Sequence, residues 1–170
     1  MDRLLVVLYR QNISKSNTLQ SYFKNCAAIH PFIKLVVWDN EIPQCDRLHY
    51  LGRIQREYIF DIMDAAKALM MPFVVNELIK SVNPVKLYEY IFSGKPVFVP
   101  EYGEMEQFRP YVYEYNNENE FMHLTDLLTS GQLKDKYDLD SGKCFAKSND
   151  WNSRCDQKQH LIHQSQILRS

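Results

Sequence analysis

Short apolar runs alternate with segments of helical periodicity along most of this chain, and that alternation constrains the fold more than any other feature. Residues 4–9, LLVVLY, are rich in β-formers and bounded by polar residues, which is the pattern of a strand buried on both faces. SNTLQSYFKNCAAIH follows, where Ser16 or Asn17 can cap a helix and Leu19, Tyr22, Phe23 and Cys26 fall at helical spacing. FIKLVVWDN (32–40) then predicts a second strand ending in Asp39-Asn40. Strand, helix and strand with short joints give a parallel pair and a right-handed crossover.

The alternation continues. LHYLGRI (48–54) predicts a short strand, and REYIFDIMDAAK (56–67) a helix with Tyr58, Ile59, Ile62, Met63 and Ala66 on one side. ALMMPF (68–73) predicts another buried strand. A helix is expected over about 84–93, a strand at KPVFVP (95–100) and a peripheral strand at YVYEY (111–115). A helix over 118–131 is closed by Gly131, and a final helix begins near Asn149 with Trp151 as its anchor. No repeat, low-complexity tract or linker breaks this order. The expected fold is a single α/β domain over residues 1–170, a Rossmann-like three-layer α/β/α arrangement with a mostly parallel sheet.

Composition narrows the function classes. The apolar fraction is 45% and the charged fraction 24%, as in ordinary globular proteins. A net charge of -1 supplies no field to draw in nucleic acid or an anionic membrane. Cys26, Cys45, Cys144 and Cys155 form no CxxC pair, so neither zinc nor a redox motif is indicated. The apolar stretch at the start is too short for a signal-peptide core, and no run approaches the roughly 18 residues of a membrane helix. The expectation is a reduced, cytoplasmic protein whose membrane contact, if any, is peripheral.

The most informative stretch is NELIKSVNPVKLYEYIFSGKPVFVP (76–100). Asn83 suits an N-cap, Pro84 a first helical position and Gly94 the αL residue after the last turn. A helix between two parallel strands starts at the carboxyl edge of the sheet, where such folds hold their ligands. Backbone amides there favour an anion, and Lys86 can add its charge toward a phosphate. Glu89, one turn further on, can accept hydrogen bonds from two vicinal hydroxyls of a ribose. The same spacing equally suits a surface ion pair worth about 0.2–0.5 kcal/mol. The residues alone leave both readings open.

YLGRIQREYIFDIMDAAKALMMPF…NELIKSVNPVKLYEYIFSGKPVFV resembles the C-terminal, donor-binding domain of GT-B glycosyltransferases of the retaining family 4 type, from Tyr50 to about Tyr115. The tail NDWNSRCDQ resembles that family's closing helix. The resemblance implies one half of a GT-B fold that binds a nucleoside diphosphate sugar of the UDP or GDP type, with no metal. It implies that Glu89 holds the ribose and that Ser81, Val82, Asn83, Pro84 and Val85 face the diphosphate. Many members carry a second glutamate where this chain has Ser81, and glycines where it has KSVNP. Members also use an Arg and a Lys after the first strand to hold the diphosphate, and Arg10 and Lys15 match that spacing. Two solvated loop charges would look the same.

Residues 3–40 also resemble the opening of family 2 glycosyltransferases of the GT-A fold, which would give Asp39 a contact with the base. That fold needs an Asp-x-Asp metal site. Asp138-Leu139-Asp140 is the one such string, far down the chain after the last expected strand, and is read as chance. The longer match favours GT-B.

No residues stand out as a catalytic pair. His30, His49 and His123 are isolated, and His160 and His163 sit at i,i+3 on the expected last helix, too few ligands for a metal site. The resemblance implies transfer of a sugar to a saccharide or lipid-linked acceptor, in cell-surface polysaccharide synthesis in that branch of the family. It also implies a partner acceptor-binding domain or a homo-oligomer, with the loop PEYGEMEQFRPY (100–111) near the cleft. The alternatives are a non-catalytic remnant or interaction module, and another Rossmann-like protein. The last is disfavoured because neither GxGxxG nor a Walker loop occurs.

Overall fold

The computed structural model describes residues 3–7, 33–37, 48–50, 54–72, 75–77, 79–150, 152, 153 and 155. Its strands are β1 (Arg3–Val7), β2 (Ile33–Val37), β3 (Leu48–Tyr50), β4 (Ala68–Met70), β5 (Val97–Pro100) and β6 (Tyr113–Tyr115). They form one six-stranded sheet in the order β3-β2-β1-β4-β5-β6. Every neighbouring pair is parallel. The order reverses between β1 and β4, where Leu5, Val6 and Val7 pair with Ala68, Leu69 and Met70. This is the doubly wound order, and its switch point lies outside the carboxyl ends of those two strands.

The helices are α1 (Ile59–Ala65), α2 (Lys86–Phe92), α3 (Glu118–Ser130) and α4 (Leu139–Ser148). Side-chain alternation along the strands sorts them into two layers. Leu69, Met71, Val97 and Val99 point into a core shared with Met63 of α1, Leu87 and Ile91 of α2, and Ala146 of α4. Phe98 points the other way, into edge-to-face contacts with Tyr113 and with Phe121 of α3. Helices thus cover both faces, and the expected α/β/α layering is present.

The expected elements are found with shorter bounds. The 84–93 helix starts only at Lys86, and Arg56–Tyr58 is a 3-10 turn ahead of α1. Gly131 closes α3 in the left-handed region with φ 74, as its position implied, and Gly94 does so after α2 with φ 73. The expected helix over residues 16–30, Trp151, and most of the tail lie outside the described residues.

One helix was not expected. α4 occupies the segment before Asn149, for which the sequence suggested no element. Its first turn contains Gly142, which ordinarily argues against a helix. The structure supplies the reason. Gly142 is buried, and a Cβ there would lie 2.3 Å from Tyr137 Cε2 and 3.0 Å from the carbonyl oxygen of Ile91. The glycine lets α4 approach the end of α2 closely, while the Tyr137 hydroxyl donates to that same Ile91 oxygen at 3.1 Å. Tyr111 stacks on Phe145 of α4 at 4.3 Å, extending the contact.

Two tests follow from this contact. Gly142→Ala gains helix propensity but overpacks the Tyr137 ring and the Ile91 carbonyl, so it should destabilise by about 1–3 kcal/mol. An unchanged urea midpoint would show that the contact is loose. Burial, reinforced by repulsion from Tyr113 and Tyr111, pushes the Tyr137 hydroxyl up to about 12 from its ordinary 10.0. The folded state therefore holds this proton more tightly than the unfolded chain. That contribution is whole below pH 10 and fades as pH rises toward 12. Urea midpoints across that window should fall less steeply for Tyr137→Phe than for the wild-type chain.

Candidate functional site

The segment leaving β4 is organised by its own polar groups. Asn76 Oδ1 accepts from the Ile79 amide at 2.9 Å, and its carbonyl accepts from Lys80 N at 3.0 Å. These bonds set a 3-10 turn over Ile79–Ser81. Ser81 is exposed at its end. The Val82 amide donates back to Ile79 O at 3.0 Å, and the Val82 carbonyl accepts from the Tyr102 hydroxyl at 3.3 Å.

Asn83 does not cap the helix. Val85 stands at the N-cap position in helical geometry, with no side-chain cap bond. The physical reason is the turn formed by Pro84. Its carbonyl accepts from Leu87 N at 2.9 Å, and Val85 O accepts from Tyr88 N at 3.3 Å. The helix therefore starts beyond the reach of the Asn83 side chain, whose Oδ1 is buried with no hydrogen-bond partner. Leu87 and Tyr88 have used their amides within the chain, and the charged side chains of the helix start can add to the amides that remain.

Those side chains are Lys86 and Glu89. Lys86 Nζ lies 2.5 Å from Glu89 Oε2, and the side chains are 41% and 36% exposed. The helix face explains their position, since Leu87, Tyr88, Tyr90 and Ile91 are all buried. Positions 86 and 89 are left on the outer stripe. An exposed pair of this kind contributes little to stability, about 0–1 kcal/mol. Glu89 keeps a second carboxylate oxygen for other donors.

A second segment lies against this one. Gly103–Phe108 forms a 3-10 helix just beyond β5. The Tyr88 hydroxyl donates to Gln107 Oε1 at 3.2 Å, and the Tyr88 ring meets Phe108 edge-on at 4.9 Å. Burial and the nearby Glu104 carboxylate push the Tyr102 hydroxyl well above the usual tyrosine range, so it stays a donor to Val82 O. Arg109 ties Glu114 at 2.9 Å and Glu101 at 3.3 Å, while Asn116 Nδ2 donates to Glu101 Oε2 at 2.8 Å. Tyr102, Gln107 and Arg109 were not singled out in the sequence. A 3-10 segment carries no 3.6-residue periodicity to reveal them.

Other expected positions resolve differently. Arg10, Lys15, Asp39, His30, His160 and His163 lie outside the described residues. His123 is exposed on α3. Asp138, of the Asp-x-Asp string, caps α4. Its Oδ1 accepts from Ser141 N at 2.9 Å and its Oδ2 from Ser141 Oγ at 2.7 Å. Those hydrogen bonds lower its pKa from the ordinary carboxylate value. No cluster of three or more His, Cys, Asp or Glu suited to a metal occurs among the described residues.

The architecture is that of one Rossmann-like half of a GT-B fold. No family model matches the chain. In sequence it is similar to a Bacillus subtilis (strain 168) protein assigned as a teichuronic acid biosynthesis glycosyltransferase, with 31% identity over 91 residues, 49% of this chain and 22% of that protein. In structure it is similar to sucrose-phosphate synthase from Thermosynechococcus elongatus, with TM-score 0.70 and 15% identity over 98% of this chain and 46% of that one. It is also similar to an α,α-trehalose-phosphate synthase (UDP-forming) from Burkholderia vietnamiensis, with TM-score 0.65 and 11% identity over 95% and 45%. The chain spans about a fifth of the curated relative's length and under half of either solved chain.

Proposed function

We propose that this chain is the donor-binding half of a retaining glycosyltransferase, holding a nucleoside diphosphate sugar of the UDP or GDP type for transfer to a saccharide or lipid-linked acceptor. The observation that carries this reading is the half-exposed Glu89 on α2, on the segment between β4 and β5 of a GT-B-type sheet. Glu89 accepts the ribose hydroxyls. Lys86 and the Ser81, Val82, Asn83 and Val85 segment face the diphosphate, with Arg10 and Lys15 as further basic contacts. The leaving diphosphate is then stabilised by fixed positive charge rather than by a covalent intermediate or a metal.

The assignment of the Bacillus subtilis relative to teichuronic acid biosynthesis is in keeping with polysaccharide synthesis as the setting. A second, acceptor-binding domain or another copy would cover the seat. Val75 and Val85 are exposed apolar side chains on the same segment and suit such a cover. The proposed location is the cytoplasm. Among the described residues no helix is long and apolar enough to cross a membrane.

Calorimetric titration of UDP and GDP tests the reading. One of them should bind, and Glu89→Ala should weaken it by about tenfold or more, the loss of hydrogen bonds to a charged acceptor. Equal binding by wild type and variant would remove Glu89 from the ribose.

A further inference from the structure

The carboxylate assigned to the ribose already holds a partner in this structure. Lys86 Nζ sits 2.5 Å from Glu89 Oε2, one turn away on the same helix face. We propose that this ion pair is exchanged when ligand binds, and that the exchange makes the site select nucleoside diphosphates over nucleosides. The inference rests on the reading of Glu89 as ribose acceptor.

The argument is one of charge balance. A nucleoside offers hydroxyls to Glu89 but nothing to the ammonium. It must share the carboxylate with Lys86 or return that charge to water. A nucleoside diphosphate offers both partners at once, a vicinal diol for Glu89 and an anion for Lys86. The exchange is easy because the pair is weak, about a factor of two in an equilibrium constant at this spacing. It needs no backbone movement. Lys86 carries its charge on a flexible four-carbon stem and is 41% exposed, so Nζ can swing while α2 stays fixed by its buried face. Lys80, the other basic residue of the described 75–92 segment, is turned to Glu77 at 2.7 Å.

Lys86 thus acts in opposite directions on two ligands. It competes with a bare ribose for Glu89 and attracts a ribose that carries phosphates. Titrations of uridine and UDP, or guanosine and GDP according to the base accepted, into wild type, Lys86→Met and Glu89→Gln test this. Methionine keeps the apolar stem and removes the charge. The expected result is about tenfold weaker diphosphate binding by Lys86→Met, with nucleoside binding unchanged or up to about twofold tighter. Lys86→Arg, which keeps the charge, should retain most of the discrimination. Equal loss for both ligands in Lys86→Met, or no loss for either, overturns the exchange. If Glu89→Gln still weakens both ligands in that case, the ribose reading survives without it. A wild-type chain that binds neither diphosphate overturns both.

Discussion

The parallel pairing of β1 with β4 is the constraint on which the rest of the structure depends. Leu5, Val6 and Val7 align with Ala68, Leu69 and Met70, and the strand order runs outward in both directions from that seam. Parallel neighbours force every connection to cross back over a face, so all strands finish at one edge. The segment after β4 and the Glu101–Phe108 segment after β5 therefore emerge side by side. Their two tyrosine bonds, Tyr102 to Val82 and Tyr88 to Gln107, follow from that placement.

The candidate site is mounted on a buried support. α2 is only seven residues long, too short to be stable alone. It is held by the burial of Leu87, Tyr88, Tyr90 and Ile91 and by α4 against its end. Gly142 sets how closely α4 approaches, and the Tyr137 hydroxyl satisfies the Ile91 carbonyl at that contact. The polar residues are consequently separable from the fold. Lys86 and Glu89 bury little, so on the proposed reading substitutions there report on binding, whereas changes at Gly142 or Ile91 report on stability.

Much of this was legible in the sequence because it is periodic. The runs at 4–9, 32–40, 68–73 and 95–100 each mark a strand, and Gly94 and Gly131 each mark a helix end. What was not legible depends on contacts between distant segments. Gly142 looks like a helix breaker until Ile91 and Tyr137 are placed beside it. Asn83 looks like a cap until the Pro84 carbonyl is seen to start the turn two residues later. The Lys86–Glu89 spacing was readable, but whether those side chains face solvent or core depended on the burial of 87, 88, 90 and 91. The Gly103–Phe108 helix was missed for a different reason, its lack of α-helical period.

The exposure of the pair bears on what the proposed seat can do by itself. Two unit charges 4 Å apart interact by about 1 kcal/mol in bulk water and about 4 kcal/mol at an effective dielectric of 20. With Lys86 41% exposed, the described seat sits nearer the first regime. On the proposed reading that regime serves to hold and orient a donor. It falls short of the electrostatic stabilisation that a departing diphosphate requires, which grows only as water is excluded. On the proposed reading, binding and transfer are therefore separable properties. The first belongs to α2 and the segment before it. The second requires a cover over that segment, and the exposed apolar Val85, next to Lys86 in the chain, is where such a cover would gain contact.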